Sequence, residues 1–237
     1  EYGVVVSLVA VMAVPANIAG PSKDLQHRLS GETPIEGHTD FPCTHHIFEY
    51  EHDAILNFLR ENGLQNNEND KVKVMFVPSY LNGSDGIFNM TYDNFLYGFD
   101  LTIFPSYYEP WGYTPMESIA HGIPTLTTNL SGFSQYIKGL DDKSGVVAIA
   151  NREEGNGDSV VDEIVETIVK FTEKTPEQVE ELSKAAFSIA SGLSWKILMD
   201  KYFQAYDKAL DKLAGRDYIK QAKQYDEVLR TFDFKKQ

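Results

Sequence analysis

The sequence predicts an α/β fold, in which a Rossmann-like, doubly wound parallel sheet is followed by additional C-terminal helices. Two observations favour this class. Through the first 150 residues, short apolar segments alternate with short helical segments, as is typical of parallel strands joined by crossover helices. After residue 151, apolar residues instead recur at helical spacing over long segments. We therefore expect a sheet-containing core over residues 1–150 and helices over residues 151–237 that pack on the same domain.

The individual elements are predicted in chain order from this pattern. Val4–Ala16 is almost wholly apolar, but a membrane-spanning helix needs about 20 such residues, so a buried parallel strand is the better interpretation. Asn17–Cys43 is interpreted as a loop with a short helix near Leu25, and a helical insertion is expected around residues 44–62. Further strands are predicted at 71–78, 101–105, 125–128 and 145–149, and further helices at 92–98, 115–121, 133–137, 159–173, 176–190, 195–213 and 217–230.

The composition argues against several classes of partner. The formal net charge is -14, and a strongly acidic surface repels phosphate backbones, so no nucleic-acid partner is expected. The only cysteine is Cys43, which excludes an internal disulfide, and no secretory signal opens the chain. We therefore expect a cytoplasmic protein without membrane partners. Because Glu1 leads directly into an apolar strand, we also expect the chain to be a fragment of a longer protein.

The segment FPSYYEPWGYTPME, residues 104–117, is the predicted ligand site. It lies where a predicted strand ends and a helix begins, and in open α/β sheets ligands bind outside the carboxyl ends of the strands. The unpaired N–H groups and positive dipole end of a helix start suit a phosphate. Gly112 permits close approach of the backbone to a ligand, and Pro115 is expected as the first helical residue.

Two carboxylates flank this helix start. Glu109 precedes the helix and Glu117 lies within its first turns, so we expect them at opposite ends of a phosphate-sized ligand, one near a sugar and the other near a ribose. Two glutamates at this spacing also occur by chance. The pair by itself is therefore a weak indication of function, and the functional interpretation depends on the surrounding residues.

The longer string FPSYYEPWGYTPMESIAHGIPTLTTNLSGF resembles animal and fungal glycogen synthases almost residue for residue. The spacing of the two glutamates is shared by many retaining glycosyltransferases of the GT-B fold, which has two facing Rossmann-like domains, whereas the aromatic-rich core is specific to glycogen synthases. Weaker similarity extends from Val4 to about Leu210. The resemblance implies the C-terminal, nucleotide-sugar-binding half of such an enzyme, with its N-terminal domain missing.

The resemblance also implies roles for the residues around the helix start. Glu109 resembles the active-site glutamate that contacts the transferred glucose and is needed for turnover. Trp111 and Gly112 resemble the backbone positions beside the glucose hydroxyls. Tyr113 and Thr114 resemble the contacts of the diphosphate.

Three further residues are implied for the nucleoside. Glu117 resembles the carboxylate that holds the ribose hydroxyls, and Tyr92 resembles the tyrosine that stacks on the base. Tyr80 falls where the family has a second aromatic residue of the base site. For Tyr80, a half-buried packing residue is an equally good interpretation.

The function implied is glucosyl transfer, with retention, to the non-reducing end of an α-1,4-glucan. UDP-glucose is the favoured donor and ADP-glucose the alternative, and no cofactor is expected. A related retaining glycosyltransferase with another acceptor stays open, as does a non-catalytic domain that binds glucan or forms homo-oligomers. A dead site would have no reason to keep Glu109, Thr114 and Glu117 together.

No metal site is predicted, because the sequence has no Asp-x-Asp motif. His45, His46, Glu49 and His52 have near-helical spacing and could ligate zinc. One helix face holds at most two or three of them, and no outside ligand completes a tetrahedral site. We interpret them as a solvated helix face.

Two departures from the family pattern qualify the resemblance. The family holds the donor diphosphate with an arginine and a lysine placed before the opening strand, whereas Lys23 and Arg28 follow it. The isolated chain is therefore expected to bind the donor weakly and to be inactive. Eukaryotic relatives also carry an arginine-rich helix that senses glucose 6-phosphate, but Glu181–Leu193 has one lysine and no arginine. We expect no activation by sugar phosphates.

Overall fold

A computed structural model of the chain describes residues 8–32, 42–67, 70–140 and 142–214. The chain divides into two compact units, residues 1–99 and residues 100–237. The predicted change from the sheet-containing core to the C-terminal helices, at residue 150, lies inside the second unit. The helix predicted at residues 217–230 lies outside the described residues.

The first unit contains two small sheets, one parallel and one antiparallel. Polar residues begin its helices: the side chains of Ser22, Asp53 and Thr91 each accept a hydrogen bond from a backbone N–H of the first turn, as good N-caps do. The elements are β1 (Leu8–Ala13), β2 (Ile18–Pro21), α1 (Lys23–Ser30), β3 (His45–Ile47), a 3-10 turn (Tyr50–His52), α2 (Ala54–Glu61), β4 (Val72–Val77) and α3 (Tyr92–Leu96).

The opening strand is parallel, as predicted, but it is not buried. β1 pairs with β4 in register, from Leu8 opposite Val72 to Ala13 opposite Val77. Residues of β1 are exposed or half-buried along its whole length, whereas Phe76 and Val77 of β4 are fully buried. The prediction of a buried strand is therefore wrong for Leu8–Ala13, and β4 is the only strand that pairs with β1 among the described residues.

The helix predicted over residues 44–62 is much shorter, and a strand takes its first part. β3 pairs with β2 in an antiparallel ribbon, whereas no strand is predicted there from the sequence. His45 is buried within it, and its ring nitrogens form hydrogen bonds with the Thr44 hydroxyl (2.8 Å) and the Asp85 carbonyl (2.9 Å). His45 is therefore a core residue with both nitrogens satisfied, not part of a solvated helix face.

The second unit confirms the predicted alternation of strands and helices. Its parallel sheet has the order β5-β6-β7, and the strand bounds agree with the predictions to within two residues. The central strand β6 is buried throughout. The elements are β5 (Thr102–Phe104), α4 (Tyr113–Ala120), β6 (Thr125–Thr128), α5 (Gly132–Gly139), β7 (Val147–Ala150), α6 (Gly157–Thr172), α7 (Pro176–Ser191) and α8 (Trp195–Ala214).

The core of the second unit lies beneath the candidate ligand loop. Ile119 of α4 and Phe133 of α5 have no exposed surface and pack with Leu182 and Ala186 of α7. Burying a side chain of this size stabilises a fold by roughly 1.5–3 kcal/mol. α6 contributes Val160 to a second cluster, with Leu126 and Ala150 of the sheet, and α7 packs chiefly on α4. None of the described helices combines the length and apolarity that a membrane span requires.

Candidate functional site

The candidate site of the second unit is formed by two loops at the carboxyl ends of neighbouring strands. One loop follows β5 and runs from residue 105 to the start of α4. The other follows β6 and runs from residue 129 to the start of α5. The Thr128 hydroxyl joins them at the base by donating a hydrogen bond to the Ser106 carbonyl at 2.8 Å.

Three backbone hydrogen bonds hold the two loops together. The Glu109 N–H donates to the Leu130 carbonyl at 3.1 Å, and the Gly132 N–H donates to the Glu109 carbonyl at 3.2 Å. The Phe133 N–H donates to the Trp111 carbonyl at 2.7 Å. The loop that carries Glu109 is thereby fixed to the first turn of α5.

The helix after this loop begins two residues earlier than predicted. Gly112 is the N-cap of α4, with a φ of 104° that favours glycine, and Tyr113 is the first helical residue. Pro115 is therefore third, which is tolerated because the N–H groups of the first turn have no partner within the helix. The backbone N–H groups of Gly112, Tyr113 and Thr114 have no acceptor among the described residues. They form a suitable site for an anion.

The two glutamates lie on either side of this helix start. Glu109 is half-buried in the loop, and its carboxylate forms no hydrogen bond or ion pair with the described residues. Glu117 is half-buried in α4, one turn after Tyr113. The placement of one carboxylate before the helix and one within its first turns matches the expectation. Their orientation toward the two ends of a ligand stays a prediction.

Trp111 has its side chain in the core rather than toward a ligand. Its indole N–H contacts the Met116 sulfur at 3.4 Å, and its ring packs edge-on against Phe133 with centroids 6.4 Å apart. Trp111 is half-buried, and packing of its side chain against the core is compatible with a backbone role, as the resemblance implies. The side chains of Tyr113 and Thr114 are exposed.

The two tyrosines expected at the base site belong to the first unit. The Tyr92 N–H donates to the Leu81 carbonyl at 3.0 Å, and Asn82 bridges Thr91 in antiparallel fashion. The segments that carry Tyr80 and Tyr92 are therefore neighbours. Tyr80 is 76% exposed and lines an open cavity of about 240 Å³, so the alternative of a half-buried packing residue does not describe it.

One residue near the site was not singled out by the sequence. Arg152 follows the carboxyl end of β7, and its guanidinium lies over the ring of Tyr107, two residues before Glu109. The available signal was its position just after a predicted strand, where ligand sites of α/β sheets lie. No group of three or more metal-ligating side chains occurs in the described part of the chain.

Comparison with known proteins identifies the family. A family model for glycogen synthase matches residues 37–235. Glycogen [starch] synthase isoform 2 of Saccharomyces cerevisiae is 35% identical over 190 residues, which are 78% of this chain and 27% of the yeast protein. Glycogen [starch] synthase of Neurospora crassa is 36% identical over 170 residues, which are 70% of this chain and 24% of its own.

Among solved structures, the chain is similar to WaaG, a glycosyltransferase involved in lipopolysaccharide biosynthesis. The alignment has a TM-score of 0.35 and 16% identity and covers 69% of this chain and 35% of that chain. A similarity this low adds nothing to the assignment of the fold. The fold class follows from the parallel sheets and intervening helices of the chain itself.

The fold and the loops define an α/β protein in which a helix with acceptor-free N–H groups, among the described residues, begins at the carboxyl ends of the strands. The family model covers most of the sequence and the relatives are about one-third identical, so the chain belongs to the glycogen synthase family. The resemblance to the animal and fungal type is confirmed. The chain spans about a quarter of the length of the curated relatives it matches.

Proposed function

We propose that this chain is the donor-binding part of a retaining glucosyltransferase that extends an α-1,4-glucan at its non-reducing end. The observation that carries the proposal is the start of α4, where three backbone N–H groups lack an acceptor within the described residues beside the half-buried Glu109. Family membership supports the reaction class. The relatives' names support a glucan product.

The helix start is proposed to bind the diphosphate of the donor. Its N–H groups at Gly112, Tyr113 and Thr114 and the positive end of the helix dipole favour negative charge. When the glycosidic bond of the donor breaks, negative charge develops on the departing diphosphate. Preorganised donors at that position can lower the barrier by about 3–4 kcal/mol.

Glu109 is proposed to stabilise the positive charge that develops on the glucose ring. Its carboxylate is not neutralised by any described neighbour, and its backbone is fixed at both its N–H and its carbonyl. A charge held in this way costs little reorganisation during the reaction. We assign it electrostatic stabilisation, and the donor is proposed to bind without a metal because the sequence lacks an Asp-x-Asp motif.

The nucleoside is proposed to lie against Tyr80 and Tyr92, with Glu117 on the ribose hydroxyls. Tyrosine rings offer flat faces on which a base can stack, as well as polar hydroxyl groups. UDP-glucose is the donor we propose, with ADP-glucose as the alternative. A uracil ring and an adenine ring differ in area, so the two donors are distinguishable by titration.

The remaining contacts of the reaction are proposed to come from a further domain. The chain covers about a quarter of the length of its curated relatives. Weak donor binding and no transfer are expected from this chain alone. A cytoplasmic location is proposed, because the single cysteine suits a reducing compartment. Homo-oligomerisation is retained as an alternative use of the domain.

Calorimetric titration of the chain with UDP, UDP-glucose and ADP-glucose tests the proposal. We expect one nucleotide family to bind, and a variant with Tyr92→Ala and Glu117→Ala to lose that binding. Tyr97→Ala is the matched control, because it removes a 67%-exposed tyrosine just after the helix that Tyr92 begins.

The absence of binding in this chain alone calls for the same titration after an N-terminal domain of a family relative has been joined to it. No binding there either would contradict the proposal. Retention of α-glucan without any nucleotide-sugar binding would instead support the non-catalytic, glucan-binding alternative.

A further inference from the structure

Arg152 lies just past the carboxyl end of β7, and its guanidinium reaches the loop that follows β5. Its Cζ atom is 4.0 Å from the centroid of the Tyr107 ring, a short cation–π distance. One terminal N–H also points toward the Pro105 carbonyl at 3.5 Å. The Arg152 Nε is buried without a hydrogen-bond acceptor among the described residues. A buried donor of this kind is rare enough in proteins to require an explanation.

The contact passes over an intervening strand. β6 lies between β5 and β7, and neighbouring strands are about 4.8 Å apart, so Arg152 spans roughly 10 Å. Its own backbone is held on the intermediate loop, because its N–H donates to the Asn129 side-chain oxygen at 2.7 Å. The Asn129 N–H in turn donates to the Ala150 carbonyl at 3.0 Å. The origin of the long side chain is therefore fixed.

These contacts connect Arg152 to both loops of the candidate site. Arg152 is bonded to Asn129, and the next residue, Leu130, accepts a hydrogen bond from the Glu109 N–H. Tyr107, two residues before Glu109, contacts the Arg152 guanidinium with its ring. The Tyr107 side chain is 78% exposed, and the guanidinium is the only charged or aromatic group over its ring in the described structure.

We propose that Arg152 is a positioning residue: through Tyr107 it orders the segment that precedes Glu109, whose own backbone is held by Leu130 and Gly132. The proposal rests on the proposed function of Glu109. A planar guanidinium stacks on an aromatic face in a way that the compact ammonium of lysine does not. Stacking holds the middle of the loop, while the bonds from Thr128 to Ser106 and from Glu109 to Leu130 hold its two ends. Since the ends are held independently, variants at Arg152 are expected to fold.

The kinetic test uses the smallest active form of the protein that contains this chain. We expect Arg152→Ala and Tyr107→Ala to lower kcat by about 10- to 100-fold, as small misplacements of a reacting group do. The KM for the nucleotide sugar should change by no more than about twofold, since transition-state placement rather than donor binding is lost. Tyr107→Phe should keep nearly full kcat, whereas Arg152→Lys should resemble Arg152→Ala.

A second arginine that contacts a tyrosine ring provides the matched control. Arg60 lies 5.8 Å from the centroid of the Tyr50 ring in the first unit. Arg60→Ala should leave kcat unchanged. Unchanged kcat in Arg152→Ala would overturn the proposal, as would a raised KM with kcat intact, which would make Arg152 a direct contact of the donor.

A second measurement does not depend on catalysis. Amide hydrogen exchange at residues 107–109 should be faster in Arg152→Ala than in the wild-type chain, with no change in Arg60→Ala. If the wild-type protein transferred no glucose, the proposed function would be contradicted. The exchange rates of the wild type and of Arg152→Ala would still show whether Arg152 orders the loop. Exchange rates equal to those of the wild type would overturn the positioning role.

Discussion

The carbonyl of Glu109 accepts a hydrogen bond from the N–H of Gly132 at 3.2 Å, and this contact requires close approach of two backbones. A Cβ atom added at Gly132 would lie 2.4 Å from the Pro110 carbonyl oxygen and 3.3 Å from the Trp111 Cα. Both neighbours are backbone atoms, which cannot move away as a flexible side chain can. Position 132 therefore requires glycine, because any side chain there would collide with the backbone of Pro110.

Gly132→Ala should displace the segment that carries Glu109. We expect the free energy of unfolding to fall by about 1–3 kcal/mol, as in other overpacked sites, and donor binding to weaken. Urea denaturation followed by circular dichroism measures the first effect. Gly139→Ala, at the other end of α5 with nothing within 4 Å, is the control. If both variants unfold at the same urea concentration, the close approach is not a constraint.

Glu109→Gln should separate donor binding from transfer. The amide has the shape of the carboxylate, and the backbone bonds to Leu130 and Gly132 do not involve the side chain, so donor affinity should change by only about twofold. Transfer should fall by about 10²-fold or more, because the charge that opposes the developing positive sugar is lost. Calorimetry and a transfer assay of the active protein give the two values. Full transfer in Glu109→Gln would contradict the role assigned to this carboxylate, and Glu154→Gln is an exposed control.

Local signals explain why much of the second unit was predictable from sequence. Ser131 stands immediately before α5, and its hydroxyl accepts a hydrogen bond from the Ser134 N–H. Gly122 ends α4 in a left-handed conformation with a φ of 78°, as glycine does after helices. These signals require only a few neighbouring residues. The helix start between Glu109 and Glu117 could be predicted from the sequence for the same reason.

Contacts between distant residues explain what the sequence did not reveal. β3 is three residues long and contains two histidines, and His45 belongs there because it contacts Asp85, forty residues away. Arg152 was missed because its contact with Tyr107 also crosses the sheet. Helical spacing of side chains carries no information about such distant partners. The helix predicted over residues 44–62 is therefore too long, because its first part pairs as a strand instead.

Thr175→Ala should destabilise the second unit through the start of α7. The Thr175 hydroxyl accepts from the Gln178 N–H, while the Gln178 side chain accepts from the Thr175 N–H, which is a capping box. Loss of such a cap costs about 1 kcal/mol, and α7 contributes Leu182 to the core. Thermal or urea unfolding measures the loss. Thr172→Ala, at an exposed position near the end of α6, should cost less, and equal losses would show that the cap contributes little.

Glu180 and Lys184 should contribute to stability in a limited pH range. The Lys184 ammonium, 2.6 Å from the Glu180 carboxylate, lowers the pKa of Glu180 from 4.5 through its hydrogen bond and charge. Glu180 in turn raises the pKa of Lys184 from 10.5. The contribution of the glutamate is present above its ordinary pKa and is lost as the pH falls through its lowered value. The contribution of the lysine is present below its ordinary pKa and is lost as the pH rises through its raised value.

Glu180→Gln should therefore lower the melting temperature slightly at pH 7. The effect should be small, because the pair is exposed, and exposed ion pairs contribute little. It should decrease as the pH falls through the lowered pKa of Glu180, and it should disappear in about 1 M salt, where the Debye length is about 3 Å. Glu154→Gln, which removes an exposed carboxylate elsewhere, serves as the control. A difference that persists in about 1 M salt would assign the effect to helix propensity rather than to charge.

Glucose 6-phosphate should not activate the enzyme to which this chain contributes. A phosphate-sensing helix requires several cationic side chains, because bidentate arginine contacts provide both charge and geometry for a phosphate. Between Glu181 and Leu193 the only cation is Lys184, and it is already paired with Glu180. Transfer assays with and without glucose 6-phosphate should give equal rates, and Lys184→Ala should leave the comparison unchanged. A large stimulation in the wild type would show that a phosphate site lies elsewhere and that a helix without arginines at residues 181–193 does not exclude regulation.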